Sequence, residues 1–199
     1  MRILVLGGTA FLSAETARQA LAAGHEVTCL ARGTAGAPPD GATWLRADRA
    51  EGAAAYTAAR GAADSDGAWD AVVDVSRDPD QAREALEALA GSARHWTFIS
   101  SCSVYADHSV AGADEAAEVL APLPPGTELS AGNYGEAKVA IEHWTTELAG
   151  DRAHICRAGL IGGPGDGSDR YGYWPARFAR DADPVLVPDI PTDATQIID

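Results

Sequence analysis

Arg2-Ile-Leu-Val-Leu-Gly-Gly-Thr9 is the stretch from which the fold is read. Ile3 to Leu6 is a short apolar run with β-branched members, which predicts a buried strand. Gly7-Gly8 ends it with residues that tolerate positive φ. Thr9 to Ala23 then reads as a helix. A strand, a glycine turn and a helix N-terminus together present backbone N–H groups and the positive end of a helix dipole to an anion, which is how a dinucleotide pyrophosphate is held. The glycine pattern is degenerate. Ala10 and Ser13 stand where the second and third glycines of GxxGxxG would fall, and each adds a Cβ that limits close approach to a diphosphate. Taken alone, the two glycines fit an ordinary strand-to-helix turn as well as a phosphate seat.

Composition narrows the classes. A chain of 199 residues is long enough for one domain burying about 70 % of its unfolded surface. With 29 acidic against 15 basic residues the formal charge is -14, which opposes binding to nucleic acid or an anionic membrane. Cys29, Cys102 and Cys156 are odd in number and far apart, so thiols in a reducing compartment are expected, with neither disulfide nor structural metal. No basic-then-apolar signal precedes the first strand and no apolar stretch has the length of a membrane span. The expected location is the cytoplasm.

Along the chain, strand and helix alternate. His25–Leu30 reads as a strand closed by Arg32-Gly33, and Thr43–Ala47 as a short strand ending at Asp48. Ala50–Ala63 reads as an Ala-rich helix, Trp69–Val75 as a strand, and Pro79–Leu89 as a helix with proline in its first turn. His95–Ser100 is the next strand. A Pro- and Gly-rich loop between Asp107 and Gly132 leads to a helix from Tyr134 to Leu148, followed by the strand Ala153–Arg157. This order predicts an α/β protein with a Rossmann-type, doubly wound parallel sheet and right-handed crossovers, in which ligands lie beyond the carboxyl ends of the strands.

Tyr134-Gly-Glu-Ala-Lys138 supplies the chemistry. Residues four apart share one helix face, which brings the Lys138 ammonium toward the Tyr134 phenol. A free phenol titrates near pH ~10, and a neighbouring cation favours the phenolate, preparing it for proton transfer. The competing reading is a solvated helix pair without a partner.

These segments resemble the extended or atypical short-chain dehydrogenase/reductase proteins, the NAD-dependent epimerase/dehydratase group. The resemblance rests on five signatures in order: Gly7-Gly8-Thr9-Ala10-Phe11-Leu12-Ser13, Asp48-Arg49, Phe98-Ile-Ser-Ser-Cys-Ser-Val-Tyr105, Tyr134-Gly-Glu-Ala-Lys138 and Arg157-Ala-Gly-Leu-Ile-Gly-Gly-Pro164. It implies a nicotinamide dinucleotide cofactor and a catalytic set of Ser101, Tyr134 and Lys138. Tyr134 would pass a proton to or from a substrate hydroxyl or carbonyl during hydride transfer, Ser101 would hydrogen-bond the same oxygen, and Lys138 would also hold the cofactor ribose. Gly7, Gly8, Thr9, Ala10, Phe11 and Leu12 would surround the diphosphate, Asp48 would lie near the adenine, and Arg49, Val75 and Ser76 are further cofactor-binding positions. The resemblance also offers small hydroxyl- or carbonyl-bearing substrates, sugar nucleotides among them, and a homodimer formed through the Tyr134 helix.

Several readings stay open at this level. Ser100 and Ser103 compete with Ser101, since successive strand residues face opposite ways, and the family spacing to Tyr105 selects Ser101. Ala31-Arg32 replaces the acid that would accept bonds from an NAD ribose, and a guanidinium suits a 2′-phosphate, so NADP is preferred to NAD. Against this stands Arg32 as a plain surface arginine. Cys102 lacks a neighbouring helix start or cation and reads as inert. Trp69, Trp96 and Trp144 read as packing, and His25, His95 and His154 as edge residues. Asp107 and His108 lie on a loop near Ser101, and Arg170-Tyr-Gly-Tyr-Trp174 leads into an aromatic helix that could equally cover a pocket or dock on the core. Residues 1–158 are expected to form the dinucleotide-binding domain and 159–199 the start of a smaller substrate-binding region, shorter than the resemblance implies. The rival from another class is a dinucleotide-binding module or partner subunit without catalysis.

Overall fold

The computed structural model describes residues 1–168, 170, 172–180, 184–187, 189 and 197–198. These residues fall into two compact units, Met1–Arg157 and Ala158–Asp199.

In the first unit, β1 (Arg2–Leu6) pairs in parallel with β2 (Glu26–Ala31) on one side and β4 (Ala71–Asp74) on the other. With β3 (Thr43–Arg46), β5 (Trp96–Ser101) and β6 (Ala153–Ala158) they form a six-stranded sheet of order β3-β2-β1-β4-β5-β6. Strand order reverses between β1 and β4, so their carboxyl ends diverge and open the crevice at which such folds bind ligands.

The period of two in β1 explains how both faces are covered. Leu4 and Leu6 enter one core with Leu30, Tyr56, Leu86, Leu89, Trp96, Phe98 and Ile141. Ile3 and Val5 face the other way and pack with Ala17, Val27 and Cys29. Helix α1 (Phe11–Ala22) therefore covers the second face, while α2 (Thr57–Asp66), α3 (Pro79–Leu89) and α4 (Tyr134–Ala149) cover the first. The bounds of α3 are those read from sequence, because Asp78 accepts from the Asp80 and Gln81 amides and Pro79 supplies a preset φ.

One element differs from expectation. Ala50–Ala63 is not one helix: a 3-10 segment, Arg49–Tyr56, is broken at Gly52, whose φ of 68° is non-helical, and α2 begins only at Thr57. That break lets Arg49 and Tyr56 face the core side by side.

The second unit contains a short parallel pair, β7 (Leu160–Ile161) with β8 (Ile197–Ile198), and helix α5 (Tyr173–Arg180). Tyr173 and Trp174 meet edge-on at 5.0 Å between ring centres. Tyr171, part of the aromatic segment singled out above, lies outside the described residues. Among the described residues no helix is long and apolar enough to cross a membrane.

Candidate functional site

In the turn after β1 the Gly7 amide donates to Leu30 O at 2.9 Å, and the donors that follow it lead into an uncapped helix start. Gly7 and Gly8 have φ of 128° and 93°, left-handed conformations that a Cβ disfavours. A Cβ on Gly8 would also overlap the Cys29 sulfur, and one on Gly7 would press on Ser13 Oγ at 3.1 Å and Val75 Cγ2 at 3.3 Å. Helix α1 starts from Ala10, which is extended and offers no side-chain cap, and its first turn carries no acid. The first intrahelical bond is donated by Ala14 N to Ala10 O at 2.8 Å, so the amides of Phe11, Leu12 and Ser13 precede the ladder. Uncapped amides at the positive end of a helix dipole favour an anion. The turn therefore fits a dinucleotide diphosphate despite the degenerate glycines, and Ser13, buried and bonded back to Ala10 O at 3.1 Å, is accommodated inside it.

At the ends of β2 and β3 the side chains are pinned. The Trp44 indole donates to Ala31 O at 3.0 Å, and its ring lies where a Gly33 side chain would go. Arg46 Nε donates to Arg32 O at 3.2 Å. The Arg32 guanidinium is exposed and lies 3.7 Å from Asp48 Oδ2, while Asp48 Oδ1 accepts from Ala50 N at 3.0 Å. Arg32 and Asp48, read separately from sequence, are thus neighbours on one rim.

The turn after β4 is closed. Arg49 Nη1 pairs with Asp74 Oδ1 at 3.0 Å, with the Asp74 side chain only 1 % exposed. Arg49 also donates to Gln81 O at 3.0 Å and to the Tyr56 hydroxyl at 2.9 Å. The guanidinium of Arg49, a cofactor-binding position in the sequence reading, is committed inside the protein to Asp74, Tyr56 and the Gln81 carbonyl. Ser76 is similarly engaged, its amide and hydroxyl donating to Asp74 Oδ1 at 3.0 and 2.6 Å. Val75, between them, is half-buried and touches the Gly7 position.

Lys138, the only lysine in the chain, reaches this turn from α4. Its side chain is buried, and Nζ donates to Ser76 O at 2.6 Å and Ile99 O at 2.8 Å. The ammonium lies 5.8 Å from the Tyr134 ring centre and 4.6 Å from that of Phe98. Burial lowers its pKa to about 8, against the opposing pull of Asp74.

The three serines that compete in the sequence, of which the family spacing selects Ser101, have different surroundings in the structure. Ser100 is buried and donates to Glu142 Oε1 at 2.5 Å, and Glu142 pairs with Arg157 at 2.8 Å. Ser101, facing the other way at the end of β5, accepts from Ser103 N at 3.1 Å and donates to the Ser103 hydroxyl at 3.0 Å. Gly135 packs against the serine turn, where a Cβ on it would overlap the Ser103 carbonyl oxygen. The glycine lets the start of α4 rest directly on the serine turn. Glu142 and Arg157 were not singled out from sequence. Glu142 stands four residues after Lys138, on the same helix face, and that spacing was the available signal.

The remaining residues are chemically quiet. Cys29 is buried, which raises its thiol pKa to about 11, and Cys102 and Cys156 are free and half-buried. Among the described residues no three His, Cys, Asp or Glu side chains gather so as to hold a metal ion. Trp69 and Trp96 are core residues. Asp107 and His108 are exposed, with Asp107 accepting from Ser109 N at 2.8 Å.

A six-stranded parallel sheet reversing at β1/β4, with an uncapped helix start over that crevice, defines a dinucleotide-binding α/β protein. The chain belongs to the NAD dependent epimerase/dehydratase family, whose sequence profile matches residues 3–188. Among solved structures it is similar to a UDP-galactose 4-epimerase at 21% identity and a TM-score of 0.64, covering 83% of this chain and 58% of that one. A Burkholderia cenocepacia J2315 protein provisionally described as an epimerase shares 27% identity with a TM-score of 0.65, over 85% of this chain and 57% of that one. The Bordetella bronchiseptica enzyme WbmG, in complex with NAD and UDP, shares 19% identity with a TM-score of 0.62, over 82% and 55%. The chain thus spans little more than half the length of these proteins. Among curated proteins none matches it. NAD is the cofactor named by the family, and the NADP preference read from Arg32 finds no support in these likenesses.

Proposed function

We propose that this chain binds a nicotinamide dinucleotide and carries the proton-transfer machinery of an NAD-dependent epimerase, dehydratase or related oxidoreductase. The observation that carries the reading is the Lys138 ammonium, buried on two carbonyls at 2.6 and 2.8 Å and set 5.8 Å from the Tyr134 ring. In this reading the ammonium beside the ring orients the site in which Tyr134 exchanges a proton with a substrate hydroxyl. Ser101, at the end of β5, can release its bond to Ser103 and donate to the substrate oxygen. The dinucleotide supplies hydride acceptance and return. The amides of Gly8 to Leu12 hold its diphosphate, Asp48 reaches the adenine, Val75 lines the crevice, and Lys138 meets the ribose. Substrates in this reading are small hydroxyl- or carbonyl-bearing molecules, with sugar nucleotides the class suggested by the UDP bound in one similar structure. Residues 1–158 form the cofactor domain and 159–199 contribute to the substrate side.

Arg32 keeps a bond to a 2′-phosphate within chemical reach, but Asp48 at 3.7 Å competes for it, so NAD is the first choice. Fluorescence titration with NADH and NADPH tests binding and preference together. Tyr134→Phe is expected to abolish turnover of sugar nucleotides or simple carbonyls and to leave cofactor affinity nearly unchanged; full activity in that variant refutes the assignment. The Cβ atoms of Ala10 and Ser13 in the glycine turn favour one second reading, a dinucleotide-binding module without catalysis. Cofactor binding with no turnover across a broad substrate panel would support it. Association as a homodimer through α4 belongs to the first reading, and sedimentation equilibrium tests it.

A further inference from the structure

The proton-transfer reading needs Lys138 to keep its charge and its place although it is buried. Two groups outside the predicted catalytic set bear on both. Asp74 sits at the end of β4 with its Oδ1 accepting from the Ser76 amide at 3.0 Å and from the Ser76 hydroxyl at 2.6 Å. Those two bonds fix the turn whose carbonyl, Ser76 O, accepts from Lys138 Nζ at 2.6 Å. Asp74 is itself held by Arg49, which comes from the segment after β3 and is braced by Tyr56 and Gln81. The chain of contact runs without a gap from Arg49 to Asp74, Ser76 and Lys138.

The groups that face Lys138 from each packed element are few. β4 and the turn after it present Asp74 and Arg77, and α4 presents Glu142 and Tyr134; β5 presents the Ile99 carbonyl and the Phe98 ring. Glu142 is already neutralised by Arg157 at 2.8 Å and bonded to Ser100. Asp74 is therefore the carboxylate joined to the ammonium through a single intervening residue.

We infer that Asp74, clamped by Arg49, is a positioning residue for Lys138: it fixes the Ser76 carbonyl on which the ammonium rests and supplies negative charge behind it. The inference rests on the proposed role of the Tyr134–Lys138 pair but is tested without turnover. Because the chain has one lysine, biosynthetic labelling with 13C,15N-lysine gives one side-chain signal, whose pH titration reports Lys138 alone. Asp74→Asn keeps an oxygen to accept from Ser76 and removes only the charge. Its Lys138 midpoint is expected to fall by about one pH unit below that of the wild type, the direction produced by loss of a nearby opposite charge.

Asp74→Asn leaves the Arg49 guanidinium buried without its counterion and can fail to fold. The double variant Arg49→Met, Asp74→Asn removes both charges together, and such replacement of a buried pair is tolerated. Its midpoint is expected to fall in the same direction by a smaller amount. Midpoints equal to the wild type in the folded variants would overturn the inference. NADH and NADPH binding to the same samples separates the two claims. A wild type that binds neither dinucleotide sinks the proposed function while the titration still decides the role of Asp74. Binding with unmoved midpoints sinks the positioning role alone.

Discussion

The turns after β1 and β4 lie at the carboxyl ends of adjacent parallel strands and treat their polar groups in opposite ways. After β1, Gly7 and Gly8 keep side chains away, Ala10 offers no cap, and the first amides of α1 stay free. After β4, Asp74, Ser76, Arg49 and Lys138 satisfy one another, so the turn is filled with bonds before any ligand arrives. One turn is prepared to receive charge from outside, and the other to hold charge already inside. A crevice built from both can seat an anion without losing the position of Lys138.

The closed turn depends most on Asp74. Asp74→Leu leaves Arg49 buried without a counterion and is expected to destabilise the fold by about 3–5 kcal/mol. Urea denaturation measures it, and a loss below 1 kcal/mol, about the worth of a surface pair, would mean that the closed turn does not depend on this ion pair.

The next largest effect is a pH dependence. Lys138 has a folded pKa of about 8 against an ordinary 10.5, so between these values the unfolded chain binds more protons than the folded one and stability rises with pH. At about 1.4 kcal/mol per pH unit the full rise is about 3 kcal/mol, complete once the pH exceeds the ordinary value. Lys138→Met should lack it, so unfolding free energies measured from pH 7 to above 10 should show the wild type gaining about 3 kcal/mol relative to the variant. A constant difference would show that burial does not lower the Lys138 pKa.

Gly8→Ala attacks the open turn. A left-handed φ and a clash with Cys29 should cost about 2 kcal/mol and weaken dinucleotide binding. Pairing it with Cys29→Ala should recover part of the stability but not the backbone strain. Full recovery would mean that space alone required the glycine. The smallest effect sharpens the contrast. Ala10→Ser adds the missing cap to α1 and should stabilise the cofactor-free protein by about 1 kcal/mol. It should also weaken NADH binding, because the new hydroxyl occupies an amide that the diphosphate would use. Stabilisation with unchanged affinity would remove those amides from the phosphate seat.

Much of this architecture is legible along the chain. β1 is recoverable from its apolar run, and α3 from Asp78-Pro79, because both signals act within a few residues. The four-residue spacing of Tyr134 and Lys138 is local in the same sense. What stayed hidden depends on residues distant in sequence. The ion pair of Arg49 with Asp74, 25 positions on, depends on the break at Gly52 and the end of β4, which no local pattern shows. The inward face of Ser100 rests on its contact with Glu142, 42 positions away, which no local spacing shows. Arg32 and Asp48, taken as independent contributors, turn out to meet because β2 and β3 end side by side.

The isolated lysine in the middle of α4 gives this helix a private reporter. A lysine-specific endoprotease has one peptide bond to cut in the entire chain, and that bond is hidden while the helix is formed. Its cleavage rate under native conditions therefore measures how often α4 opens, free of background from loops or termini, and slower cutting in the presence of a dinucleotide would convert ligand occupancy into a gel band.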